Sequence, residues 1–306
     1  MTHSLTQQLK SLQSSIAAHS FLIDPTQQSE YAFMGVRGTR LYFTESEGGY
    51  SIVFYGDGND DDPTQPASEW EEDDSCAYGF PALLDLLSDP AVAAQIIELC
   101  FIGGDVGANG LAEWDFTRLV AAAPQFTKLQ HFSVRLTDPG DHNISIVDHR
   151  ISADGTLATQ LLHLMPQLKT LSLPSAPNAD FFKLPNANLN RLRIQDPWPA
   201  MSQFIDNFGK SSGLPALVYF DYQDFANPYG CLDRAPDPQV NFAAYEALLR
   251  SPAFDPVKVF TLRTPALDEV ALVNLQGLRP SLQLLHVPTA ASRYVSHLKS
   301  CLESRG

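Results

Sequence analysis

Apolar residues in this chain recur in one phrase: a helical run stops at a proline or glycine, and a strand of the form L-x-x-L-x-L comes next. It is clearest where Leu161, Leu162, Leu164 and Met165 lead into Pro166, with Leu168, Leu171 and Leu173 beyond it. The phrase is read six more times, at Ile97/Cys100/Ile102, Leu129/Phe132/Val134, Leu189/Leu192/Ile194, Leu217/Phe220/Tyr222, Val257/Phe260/Leu262 and Leu282/Leu285/Val287. Successive starts are 21 to 40 residues apart, so the repeat is irregular. In each phrase the last two apolar residues share one face of a strand, and the residues between them face the other way. One such unit cannot bury its apolar face alone. Stacked units make a parallel sheet backed by helices, with the second face of the sheet left open. The expected class is therefore α/β.

The spacing predicts helices over 80–87, 90–94, 110–123, 154–164, 178–183, 199–208, 241–249 and 267–278. Pro124, Pro166, Pro185, Pro256 and Pro280 end five of the units, and Gly213 with Pro215 ends another. Proline cannot continue a helix and pushes the residue before it toward extended backbone. Ahead of the array, Leu5, Leu9, Leu12 and Ile16 mark an amphipathic helix over 4–18. Aromatic and β-branched runs at 31–36, 39–44 and 50–55 read as antiparallel strands. Residues 1–78 are accordingly expected to form a small α+β N-terminal module with an acidic loop, and 79–306 the array.

The pieces Leu168-Lys169-Thr170-Leu171-Ser172-Leu173 and Leu189-Asn190-Arg191-Leu192-Arg193-Ile194 resemble the leucine-rich repeat family. The resemblance covers 97–287, and the chain is similar to irregular bacterial cytoplasmic members of that family. It implies a solenoid and a non-enzymatic, protein-binding role. The family's Asn or Cys three residues after the last strand leucine is missing, because Ala176 and Pro197 stand there. The alternative fold is a βα barrel, which carries catalytic groups at the carboxyl ends of its strands. Spacings of 21 and 25 residues leave little room for crossover helices, and no strand end is read as carrying a repeated Asp, Glu or His.

Charge changes the picture next. Twenty Lys and Arg against 35 Asp and Glu give a net charge of -15, which opposes attraction to nucleic acid or anionic membrane. No apolar run approaches the roughly 18 residues of a membrane span, and residues 1–20 do not read as a secretory signal, so a cytoplasmic location is expected. Cys76, Cys100, Cys231 and Cys301 are dispersed and read as reduced thiols, with Cys100 at a core strand position. Residues 57–74 hold nine acidic residues and no Lys or Arg. Such a run reads as a solvated loop, and Asp60, Asp61 and Asp62 in it are candidates for meeting a basic partner. A calcium loop is the weaker reading: Asp57, Asn59 and Asp61 alternate suitably, but Asp62 and Ser68 stand where the motif needs Gly and Glu.

Little of the remaining chemistry points to catalysis. Asp138, Asp141, His142, Asp148 and His149 cluster and are the residues a metal-dependent hydrolase would use, yet polar loop composition alone explains them. No phosphate-loop, dinucleotide, nucleophile-elbow or zinc-protease motif occurs, and no cofactor is implied. The outward strand positions say more. They include Glu98, His131, Ser133, Arg135, Lys169, Thr170, Arg191, Arg193, Tyr219, Asp221, Lys258, Thr261, Arg263 and His286, six basic and two acidic in an acidic chain. Arg and Tyr are frequent anchors of protein interfaces. Trp114 is expected in the core, whereas Trp198, between Pro197 and Pro199, is expected as an exposed anchor. The expected partner is another protein, such as a toxin or effector neutralised by an immunity protein, and the free chain is expected to be a monomer.

Overall fold

The computed structural model describes residues 4–20, 39–56, 75–103, 112–136, 149–151, 154–196, 203–224, 240–263 and 267–287. Helix α1 (Leu5–Ser20) opens the chain, followed by β1 (Arg40–Ser46), β2 (Gly49–Tyr55), α2 (Ser75–Leu87), α3 (Pro90–Ala93) and β3 (Ile96–Ile102). Next come β4 (Ala112–Glu113), α4 (Thr117–Ala122), β5 (His131–Val134), β6 (His149–Arg150), α5 (Thr156–His163) and β7 (Thr170–Leu173). A 3₁₀ turn (Ala179–Lys183) leads to β8 (Arg191–Asp196), α6 (Phe204–Lys210), β9 (Tyr219–Asp224) and α7 (Phe242–Arg250). The 3₁₀ turn Pro252–Phe254, β10 (Val259–Arg263), α8 (Glu269–Leu278) and β11 (Gln283–Val287) complete it.

Nine strands form one sheet in the order β1-β2-β3-β5-β7-β8-β9-β10-β11, which is the order of the chain. Only β1 and β2 are antiparallel; every later neighbour is parallel. β4 and β6 form a separate parallel pair. The β1-β2 hairpin, expected within an N-terminal module, is thus joined to the array through the β2-β3 pairing. Gly49 permits that junction: its φ is 142°, and a Cβ there would lie 2.1 Å from the Gln95 carbonyl oxygen. β1 and β11 stand at opposite ends of the order, so the described strands form an open sheet and not the closed barrel of the alternative fold.

The register lines up inward side chains in two rows across the sheet. One runs Ile52, Leu99, Phe132, Leu171, Leu192, Phe220, Phe260; the other runs Phe54, Phe101, Val134, Leu173, Ile194, Tyr222, Leu262. All are at most 2 % exposed. Helices cover this face in the same order as the strands, α1 against α2, α2 against α4, α4 against α5, then through the turn Ala179–Lys183 to α6, α7 and α8. Aromatic rings weld the layers. Phe80 of α2 meets Phe54 and Phe101 at 5.7 and 5.8 Å, and Phe220 lies 5.2 Å from Phe260 in near-parallel stacking and 5.6 Å from Phe208 of α6. Such pairs add about 0.5–1.5 kcal/mol each beyond the area they bury.

Five of the seven phrases hold as read, from Leu129/Phe132/Val134 through Val257/Phe260/Leu262, with every named residue buried. Two are displaced by one residue, which turns each side chain to the opposite face. In β3 the inward residues are Leu99 and Phe101, while Cys100 pairs beside Ser133 on the outer face and Ile102 is 37 % exposed. In β11 Leu284 and His286 line up with Phe260 and Leu262, so His286 belongs to the inward rows and Leu285 to the outer face. The helix expected over 110–123 is confined to α4, because β4 precedes it and Trp114 and Phe116 are drawn fully into the core. Trp114 packs edge-on against Phe80 at 5.5 Å, the core role expected of it. The strand expected over 31–36 lies outside the described residues.

Candidate protein-binding face

The outer face of the sheet carries the candidate site. Alternation places Arg191 and Arg193 on the outer side of β8, separated by about 7 Å along the strand, and Leu192 and Ile194 hold the strand down from beneath. Cross-strand pairing sets Arg191 beside Tyr219 and Arg193 beside Asp221. The Arg191 guanidinium lies 4.3 Å from the Tyr219 ring centroid, and Tyr219 remains 42 % exposed. Asp221 accepts two hydrogen bonds from Arg263, at 2.6 Å from Nε and 2.8 Å from Nη2, and has Arg193 Nε at 3.7 Å. One carboxylate therefore organises two guanidiniums, and a third sits on an aromatic face next to them. Asp221 and Arg263 side chains are only about one-fifth exposed, so this bidentate pair escapes most of the screening that weakens surface ion pairs.

Arg191, Arg193, Tyr219, Asp221 and Arg263 are thus brought together on β8, β9 and β10. Lys169 and Lys258 are exposed at the starts of β7 and β10 and widen the positive patch along the amino-terminal edge of the sheet. Arg135 is set apart, just past β5, where its Nη1 donates to the Gly103 carbonyl at 2.8 Å. His131 is outward and exposed, and His163 is exposed in the last turn of α5. At the far end of the same face Tyr42 is 49 % exposed. Asp60, Asp61, Asp62, Trp198, Asp138, Asp141, His142 and Asp148 lie outside the described residues, and of His149 only the backbone, in β6, is described. Burial raises the Cys100 thiol pKa, while a hydrogen bond with Ser133 opposes this.

Polar residues at the carboxyl ends of β8 and β9 form an arrangement the sequence reading missed. The dipeptide Gln195-Asp196 recurs as Gln223-Asp224, contrary to the expectation that no strand end repeats an acidic residue. All four are buried and pair in register across the two strands. Gln195 Nε2 donates to Gln223 Oε1 at 2.8 Å. Beneath them the Tyr222 hydroxyl donates to Asp196 at 2.9 Å, and the Tyr245 hydroxyl of α7 donates to Asp224 at 3.0 Å. Burial, reinforced by the Asp196 charge, raises Asp224 to about 7, while the Tyr245 hydroxyl and the Val240 backbone N–H pull the other way. Both tyrosines are held well above their ordinary value, chiefly by burial. These bonds stitch β8, β9 and α7 together. In the preceding unit buried Ser175 accepts the Ile151 N–H at 2.7 Å.

Among the described residues no group of three or more His, Cys, Asp or Glu is placed to hold a metal ion, and no helix is long and apolar enough to cross a membrane. Compared with protein-family models, with curated proteins and with solved structures, the chain matches none.

Proposed function

We propose that this chain is a non-enzymatic protein-binding solenoid whose open sheet face grips an acidic surface of a protein partner. The observation that carries the reading is the Arg191–Tyr219 stack set beside Asp221, which fixes Arg263 and Arg193 on the same face of three adjacent strands. Guanidiniums held by a ring and by a shared carboxylate lose little freedom on binding, and Arg and Tyr are the anchors that dominate interface energetics. Strands stacked in chain order with helices on one face support the solenoid, and the leucine-rich repeat resemblance agrees with it. A cytoplasmic protein of this kind fits the role of an immunity protein that neutralises a toxin or effector by occlusion.

The test is affinity capture of the tagged chain from its native lysate, with genomic neighbours expressed alongside, repeated with Arg191→Glu/Arg193→Glu. A single stoichiometric protein captured by the native chain and lost with the variant supports the reading, and a captured toxin or effector supports the immunity role. A partner retained equally by both, or an isolated chain that hydrolyses a substrate, would overturn it.

A further inference from the structure

Both outermost strands of the sheet have a glutamine side chain bonded to the backbone of their free edge. At β11 the Gln283 N–H donates back to the Lys258 carbonyl at the start of β10, at 2.9 Å. Neighbouring peptide groups of a strand point to opposite sides, so the Leu282 carbonyl and the Leu284 N–H are directed away from β10. Gln276 of α8 takes both: its Nε2 donates to the Leu282 carbonyl at 2.8 Å, and its Oε1 accepts the Leu284 N–H at 3.2 Å. Nε2 also donates to the Arg279 carbonyl at 3.2 Å, which holds the amide in place. The opposite edge follows the same plan. The Gly56 N–H donates to the Ile102 carbonyl of β3, so Tyr55 directs its groups to its partner Arg40 in β1, and Leu41 beside Arg40 turns its carbonyl to the free edge. Gln13 of α1 donates to that carbonyl at 2.7 Å.

The two bonds that Gln276 makes to β11 are those of a parallel neighbour. A residue in a parallel strand donates to the carbonyl one place before the residue it faces and accepts the N–H one place after it, here Leu282 and Leu284 around Gln283. The same acceptor place recurs across the sheet: the carbonyls of Gln130, Lys169, Asn190, Val218 and Lys258, each just ahead of a strand, receive the first N–H groups of the next strand. The β10-β11 register makes Leu282 the next member of this row, and there the donor is a side chain. Among the described residues no strand lies beyond β11. An edge with unpaired N–H and carbonyl groups is a template for a strand of another molecule. We infer that Gln276 is a built-in stop, standing in for the next parallel strand and keeping the β11 edge from pairing with a second copy of the chain. Gln13 is its single-bonded counterpart at β1. The inference concerns the edge of the sheet and is independent of which partner the outer face takes.

The experiment uses the full chain and compares the native form with Gln276→Leu and Gln276→Leu/Leu285→Lys by sedimentation over a range of concentrations and by hydrogen exchange. High salt screens the repulsion between acidic copies. Leucine keeps the bulk of Gln276 and removes its hydrogen bonds. Lysine at 285, on the outer face of β11, puts a charge on the edge strand and so opposes strand pairing. It also brings the net charge of -15 closer to zero, so any relief of association comes from the edge and not from general repulsion. The native chain is expected to stay a monomer with a protected Leu284 amide. In Gln276→Leu that amide should exchange roughly tenfold faster and larger species should grow with concentration. Adding Leu285→Lys should restore the monomer and leave the Leu284 amide fast. A Gln276→Leu chain that stays monomeric, a Leu284 amide that exchanges at the native rate, or association that Leu285→Lys does not relieve would overturn the inference. So would a native chain already associated to the same degree.

Discussion

Replacing Asp224 by Asn tests the buried strand-end network through its pH dependence. In the folded chain this carboxyl titrates near 7, against an ordinary value of 3.8. A raised carboxyl pKa means that the folded state keeps a proton the unfolded state has released. Stability is therefore full below pH 4 and falls as pH rises toward 7. The shift corresponds to about 4 kcal/mol across the whole window, of which about 2.5 kcal/mol falls between pH 5 and pH 8. Asn has nearly the same shape, carries no charge and still accepts from the Tyr245 hydroxyl, so the variant lacks this slope. Losing one acceptor oxygen costs the variant about 1–2 kcal/mol at every pH. Urea unfolding of both chains at pH 5, 6.5 and 8 is the assay. The expected result is a native-minus-variant difference that moves by about 2.5 kcal/mol in favour of Asn between pH 5 and pH 8. Parallel profiles, within about 0.5 kcal/mol, would show that burial does not hold the Asp224 proton and would refute the reasoning.

Single contacts carry further expected outcomes. Tyr222→Phe leaves Asp196 buried without the hydroxyl that donates to it, an expected loss of about 1–3 kcal/mol in urea unfolding at pH 8. Phe220→Ala removes the ring shared by Phe204, Phe208, Phe254 and Phe260 and should cost about 3–5 kcal/mol, enough to lower the melting temperature sharply in calorimetry. Gly213→Ala places a Cβ 2.7 Å from the Ala253 carbonyl oxygen at φ 83°, and should destabilise by about 1–3 kcal/mol with no change in the fold seen by circular dichroism. Asp221→Ala deprives Arg263 of its two hydrogen bonds and should cost about 1.5–3 kcal/mol in urea unfolding.

The helix, stop and strand grammar was legible because proline and glycine punctuate each unit and because L-x-x-L-x-L fixes a face wherever polar residues separate the leucines. Thr170 and Ser172 do this in β7, and Arg191 and Arg193 in β8, so both registers could be read directly. Register failed where the separators are themselves apolar. Residues 96–102 read Ile-Ile-Glu-Leu-Cys-Phe-Ile, and 283–287 read Gln-Leu-Leu-His-Val, so two phases fit equally well until the neighbouring strand decides between them. The candidate face was half visible. Alternation named Arg191, Arg193, Tyr219, Asp221 and Arg263 individually, but the Asp221 clamp spans three strands and exists only once β9 lies between β8 and β10. The Gln-Asp repeat was present in the sequence at a separation of 28 residues. It is hidden in the sequence because polar residues at a strand end read as loop, and their burial depends on Tyr222 and on Tyr245 of α7, 21 residues beyond Asp224.

The measurement that bears most directly on the protein-binding reading is calorimetric titration of the captured partner against three chains: the native one, Arg191→Glu/Arg193→Glu, and Asp60→Asn/Asp61→Asn/Asp62→Asn. Burying reversed charges at the arginine face should weaken binding at least tenfold, or about 1.4 kcal/mol, whereas neutralising the acidic segment should change it less than about threefold. Loss of binding with the neutralised acidic segment, and full affinity with the reversed arginines, would place the interface on the acidic segment and contradict the account.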